Sequence, residues 1–295
     1  MTFILVACLL GVAAVQASFA LVSRQSITSL TTSQIDTFTP YTHFASAAYC
    51  DPSMTLSWSC GANCDYNAGF KPVASGGDGD RVQYWYVGYD SSLNEVIVAH
   101  QGSATIVALL THDVEIVMGG LDSSLYPGIS PDIQVHIGFR DEQAQTASEI
   151  LQGVQTAMSK FGATSVTLVG HSLGAALSLL DSIYLPLRLP SGTTFQTIVY
   201  ALPRVGNQAF ADYVDANLHL THINNLKDPI PILFPTSFGY VHPTGEVHIR
   251  ETGEWAACPG QDNPSTECIV GDVPNVLMSN PLDHYGPYNG IEMFC

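Results

Sequence analysis

Apolar positions along the chain switch between two spacings, and the switches mark out the elements. Residues 32–49 place Ile35, Phe38, Tyr41 and Phe44 at helical intervals, which predicts one helix ending near Cys50. RVQYWYVGYD (81–90) and NEVIVAHQG (94–102) read as strands. DEQAQTASEILQGVQTAMSKFG (141–162) follows, an amphipathic helix with Ile150, Leu151, Val154 and Met158 as its stripe and Gly162 as its C-terminal stop. Next come a β-branched run SVTLV (165–169), a small-residue helix LGAALSLLDSIYL (173–185) and a buried strand FQTIVYALP (195–203). Helical NQAFADYVDANL (207–218) and strand HLTHINNL (219–226) complete the alternation. Strands alternating with helices predict an α/β fold, a mostly parallel central sheet flanked by helices on both faces. Residues 50–80, rich in Gly, Ser, Asp and Cys, read as a stapled surface region, and the tail beyond 250 as irregular. With no repeat or low-complexity linker, residues 18–295 form one domain.

The first 17 residues, MTFILVACLLGVAAVQA, have the form of a signal peptide, apolar from Phe3 to Val15 with a small-x-Ala cleavage site at Val15-Gln16-Ala17. That run is shorter than the roughly 20 residues a bilayer span needs. The expected product is therefore secreted, with no integral membrane span. Beyond the signal, Cys50, Cys60, Cys64, Cys258, Cys268 and Cys295 form an even set, which in an oxidising compartment predicts three disulfides. The sequence leaves about 15 pairings open. A formal charge of −17, from 26 acidic against 9 basic residues, argues against nucleic acid and anionic membrane surfaces as partners.

Chemistry enters at GHSLG (170–174), set between the strand SVTLV and the helix that follows. Gly170 and Gly174 permit a sharp strand-to-helix turn that lifts the Ser172 hydroxyl above the sheet, near backbone N–H groups of the helix start. A serine nucleophile needs a base, and the base needs an orienting carboxylate, in the order Ser, acid, His for this kind of site. Asp181 falls inside the helix that Ser172 starts, and Asp212 and Asp215 lie on a polar helix face. Asp228 directly follows a strand, at the sheet edge where parallel-sheet sites form. His248 alternates within strand-like EVHIR and reads as structural, which leaves His242 and His284. Chain order and a loop setting favour His284.

The chain resembles the fungal class 3 lipases, an α/β-hydrolase branch that also holds feruloyl esterases. The matching stretches are AHQGSAT (99–105), VHIGF (135–139), VTLVGHSLGAAL (166–177), ALPRVGNQAF (201–210), NLKDPIP (225–231), FGYVHP (238–243) and DHYGPYNG (283–290). The resemblance implies an α/β-hydrolase fold with a short lid, Ser172 as nucleophile, Asp228 as triad acid and His284 as base. It implies backbone N–H donors to the oxyanion from Ser103 and Leu173, and structural roles for His136, His171 and His242. It also implies a Cys50–Cys295 bond and a small Cys60–Cys64 loop, leaving Cys258 with Cys268. No metal or organic cofactor is expected.

The segment after Ser103 occupies the lid position and carries five consecutive apolar residues from Ile106 to Leu110, with Ile106, Val107, Leu109 and Leu110 as lid residues. An apolar lid favours lipid esters at an oil–water interface over the soluble aryl esters taken by feruloyl esterases. Leu109 stands where the family commonly has Trp, so triglyceride and partial glyceride both remain open. Leu233, in the run after Asp228, is a candidate wall of the acyl site. The expected activity is that of a secreted lipase acting on acylglycerols. A feruloyl or other carboxylesterase and a catalytically inactive lipid-binding relative are the alternatives.

Overall fold

The structure, a computed structural model, describes residues 26–103 and 116–295; the predicted signal peptide and the lid residues Ile106, Val107, Leu109 and Leu110 lie outside the described residues. In chain order the strands are β1 (Thr28–Ser29), β2 (Phe70–Gly76), β3 (Trp85–Asp90), β4 (Glu95–His100), β5 (Met118–Gly120), β6 (Gln134–His136) and β7 (Ser165–His171). They continue as β8 (Thr194–Tyr200), β9 (Gly206–Asn207), β10 (Leu220–Asn225), β11 (Tyr240–Val241), β12 (Glu246–Ile249) and β13 (Trp255–Cys258).

Nine of these form one sheet in the order β1-β13-β12-β10-β8-β7-β4-β3-β2. The inner run β4, β7, β8, β10 and β12 is parallel, whereas β3 and β2 on one flank and β13 and β1 on the other pair antiparallel. The remaining four make a small antiparallel sheet, β11-β9-β6-β5. Strand alternation sorts side chains to two cores. Val96 and Val98 of β4 face Ile150, Val154, Leu179 and Leu180 of the helices Ile137–Phe161 and Leu173–Tyr184. Ile97 and Ala99 face the opposite way, into a cluster with Phe44, Tyr86 and Ile198. Both faces of the parallel strands are thus dry, as near-continuous apolar runs require.

The predicted helix over 32–49 is two helices, Thr32–Asp36 and Thr39–Ala47. Pro40 sits in the first turn of the second and has no N–H to continue the i→i−4 ladder from the first. Residues 50–80 hold more regular structure than expected: two short helices, Pro52–Ser57 and Ala62–Tyr66, and edge strand β2. An edge strand pairs on one side, so β2 accommodates Pro72 and a register shift between Pro72 and Ala74, features that hide it from a periodicity reading. The tail likewise contributes β13, too short to show alternation but paired along β12. The long helix starts at Ile137, before the apolar stripe begins, because His136 Nδ1 accepts the N–H groups of Gly138 and Phe139 and caps it. It stops at Gly162, whose φ of 70° needs no Cβ clearance. Disulfides join Cys50 to Cys295, Cys60 to Cys64 and Cys258 to Cys268.

Candidate active site

Ser172 is the hinge between β7 and the helix Leu173–Tyr184, with φ 60° and ψ −126°. Non-glycine residues rarely hold such a conformation, and the surroundings enforce it. A Cβ on Gly170 would lie 2.3 Å from the Gly174 carbonyl oxygen, and one on Gly174 would lie 2.3 Å from the His100 carbonyl oxygen. Strand and helix therefore approach as two bare backbones would, and the Ser172 N–H is spent on the Tyr200 carbonyl at 2.9 Å.

Ser172 Oγ lies 2.9 Å from His284 Nε2. His284 Nδ1 donates to Asp228, 2.9 Å from Oδ2 and 3.1 Å from Oδ1. All three side chains are buried. Asp228 Oδ1 also accepts the Ile230 N–H at 2.9 Å, which fixes the carboxylate plane. The acid and base loops hold each other: Asn280 N–H donates to the Lys227 carbonyl, Lys227 N–H to Asp283 Oδ2, and Asn225 Nδ2 to the Asp283 carbonyl. His284 thus sits in a short 3₁₀ turn, Pro281–Tyr285, clamped to the exit of β10 from which Asp228 emerges.

His242, the competing histidine, is elsewhere. Its Nε2 donates to the Pro231 carbonyl at 2.6 Å and its ring stacks on His222. His248 lies between the carbonyls of Leu226 and Glu267. Asp181 meets His100, and Asp212 and Asp215 bind Gln208, Gln261 and Thr244 on an exposed helix. Ser103 follows β4 by three residues, and the neighbouring Gly102 abuts the nucleophile turn: a Cβ there would sit 3.0 Å from Ser172 Cβ. Leu173 opens the nucleophile helix, so its amide lies at the positive end of the helix dipole. Leu233 is partly buried against the helix-side core at the end of the turn Ile230–Ile232.

Two features escaped the sequence reading. Tyr49 precedes Cys50, and its hydroxyl lies 2.6 Å from His171 Nδ1, while His171 Nε2 lies 2.8 Å from the His284 carbonyl oxygen. Burial, then the nearby His284, push the His171 imidazole well below its usual range and keep it neutral. A carbonyl only accepts, so Nε2 carries the proton and the Tyr49 hydroxyl donates to Nδ1. Arg204, inside the ALPRVGNQAF stretch, donates to Asp262 at 2.7 Å and to the carbonyls of Ile232 and Phe234, pinning the loop that follows Asp228. Both depend on tertiary pairings that local spacing does not encode.

The loop leading into His284 exposes Val276, Leu277, Met278 and Leu282, with Leu277 at 94% and Leu282 at 75%. No charged residue interrupts it between Asp272 and Asp283. Among the described residues, Glu246 with Cys258 and Cys268 offers a cluster of ligand atoms close enough to hold a metal. Both sulfurs are consumed by the disulfide, so the cluster does not fit one.

The family described as lipase (class 3) matches residues 96–238. A secreted mono- and diacylglycerol lipase of Malassezia globosa, MDL3, is 30% identical over 244 residues, covering 78% of this chain and 74% of that protein. A secreted mono- and diacylglycerol lipase of Malassezia restricta, LIP4, is 29% identical over 193 residues; the chain spans just under two thirds, 64%, of its length. Among solved structures, Rhizomucor miehei lipase in its native propeptide complex superposes with a TM-score of 0.78 at 27% identity, covering 90% of this chain and 84% of that one.

Proposed function

The chain belongs to the class 3 lipases, and from that premise we propose that it is a secreted serine hydrolase that cleaves the ester bonds of acylglycerols. The observation that carries the reading is the continuous hydrogen-bonded line from Ser172 Oγ through His284 to Asp228. His284 Nε2 takes the serine proton as Oγ attacks the acyl carbonyl. Asp228 holds Nδ1–H, so the imidazole presents the basic nitrogen to serine and is stabilised once it becomes a cation. The oxyanion is received by the backbone N–H groups of Ser103 and Leu173; losing one such donor typically costs ~10²–10³ in rate. His284 then returns the proton to the leaving glycerol oxygen, and water releases the fatty acid by the same steps in reverse order.

Mono- and diacylglycerols are the first substrates to test, since the Malassezia relatives carry that name. The apolar loop at Leu277 and Leu282 beside His284 supports a lipid surface as the working partner, and Leu233 supports a wall for the acyl chain. Three disulfides accord with an extracellular setting. The test is hydrolysis of a soluble short-chain ester and of a diacylglycerol emulsion by purified protein and by Ser172→Ala. The variant is expected to lose about a thousandfold or more in rate and to resist labelling by a fluorophosphonate. Full activity in Ser172→Ala would overturn the mechanism, and methyl ferulate turned over faster than any glyceride would overturn the substrate class.

A further inference from the structure

Two buried aspartate–histidine pairs flank the nucleophile turn, and the proposed chemistry uses one. The other is His100 with Asp181: Nε2 donates to Oδ2 at 2.8 Å, with the side chains 1% and 0% exposed. The second oxygen of Asp181 accepts Gln143 Nε2 at 2.7 Å, and Gln143 Oε1 accepts the Tyr126 hydroxyl at 2.8 Å. Asp181 lies in the last turn of the helix Leu173–Tyr184, where the helix dipole disfavours an anion. A buried carboxylate in that position depends on its partners, and His100 supplies a charge-assisted bond.

The placement of the pair indicates what it does. Gly174, Ser178 and Asp181 stand at i, i+4 and i+7, one stripe of the nucleophile helix. Gly174 rests on the backbone carbonyls of His100 and Gln101, and Ser178 Oγ donates to the Val169 carbonyl at 2.7 Å. Asp181 binds the His100 side chain, so the ends of β4 and β7 grip this stripe at successive turns. Three residues beyond His100 is Ser103. The proposed oxyanion donors therefore come from two separate elements, the extension of β4 and the start of the helix. The His100–Asp181 bond ties one to the other from behind, out of reach of substrate.

We infer that His100 and Asp181 form a clamp that holds the Ser103 amide in register with the Leu173 amide, making them positioning residues for the oxyanion. This rests on the serine-hydrolase reading above. A small misalignment of preorganised donors is costly in rate while leaving ground-state binding largely intact.

The test compares wild type with His100→Leu, His100→Gln and Asp181→Asn on a soluble short-chain ester, with rates divided by fluorophosphonate-titrated sites so that only folded centres count. His100→Leu, which removes the donor, is expected to lower kcat about tenfold with KM within about twofold. Affinity for an alkyl boronic acid, which occupies the tetrahedral geometry, falls in parallel. Glutamine retains an N–H donor at a similar reach and restores most of kcat. Asp181→Asn keeps an acceptor but drops the charge, and is judged by the same kcat and boronate criteria if the leucine variant does not fold. An unchanged kcat per site alongside a lowered Tm would overturn the clamp, as would glutamine behaving no better than leucine. Wild type that neither hydrolyses ester nor takes the fluorophosphonate would instead overturn the serine-hydrolase reading beneath it.

Discussion

His171 donates from Nε2 to the backbone carbonyl of His284 at 2.8 Å, so the residue preceding the nucleophile holds up the loop of the imidazole that faces it. Tyr49 completes the support at Nδ1. Tyr49→Phe removes one oxygen and strands a buried acceptor, at a cost of about 1–3 kcal/mol. The expected result is a lower Tm together with a kcat on soluble ester reduced about tenfold. Unaltered kcat per titrated site would detach Tyr49 from the chemistry.

Ser172 holds a left-handed φ of 60°, a strain of about 1–3 kcal/mol for a residue with a Cβ. Ser172→Gly relieves it, less the roughly 0.5–1 kcal/mol of chain entropy that glycine adds to the unfolded state. The inactive glycine variant should therefore be more stable than wild type by about 1 kcal/mol, whereas Ser172→Ala, which keeps the Cβ, should not. Urea unfolding of the three proteins measures the order; equal midpoints would mean the turn is unstrained.

Replacing Leu277 and Leu282 by aspartate separates surface binding from chemistry. Both side chains project into solvent, so folding and turnover of a dissolved ester should be unchanged. Hydrolysis of an emulsified diacylglycerol should fall about tenfold or more, because two charges must enter an apolar surface. Equal losses on both substrates would show that the loop acts on the triad instead.

Stability should rise with pH up to neutrality because of three buried groups outside the site. Burial holds His222 and His242 down at about 3 from 6.5, so below about pH 6.5 the unfolded chain binds protons that the folded one refuses. Stability then falls as pH drops. Glu246 is the reverse: burial lifts its carboxyl from 4.5 to about 7, so stability falls as pH rises through that window. With two histidines against one glutamate, net stability should rise with pH and level off near pH 7. Glu246→Gln should steepen that rise between about pH 4.5 and 7 and gain on the order of 2–3 kcal/mol at pH 8. Thermal melts from pH 4 to 9 check this; a variant that loses stability at pH 8 would reverse the sign.

Elements that bury two faces or one strong stripe were legible in the sequence, which is why β4, β7, β8 and the helix after Ser172 stand where their apolar runs lie. What hydrophobic spacing could not reveal are elements fixed by a neighbour: β2 on its edge, β13 along β12, and the break imposed by Pro40. The candidate site divides the same way. Ser172, Asp228 and His284 announce themselves through glycines, a strand exit and chain order. Tyr49, His100 and Arg204 do not, since each acts through a partner more than 50 residues away. Asp181, set aside for its place inside the helix that Ser172 starts, partners a different histidine, His100.

The bond between Cys50 and Cys295 also sets an order in time. Cys50 adjoins Tyr49, yet its partner lies 245 residues downstream. As the chain emerges from the ribosome, Ser172 precedes His284 by 112 residues, and the bridge behind Tyr49 closes later still. A nascent chain therefore carries its serine long before anything can activate it. The last covalent step that steadies the candidate site requires an oxidising compartment, so activity and export would arrive together.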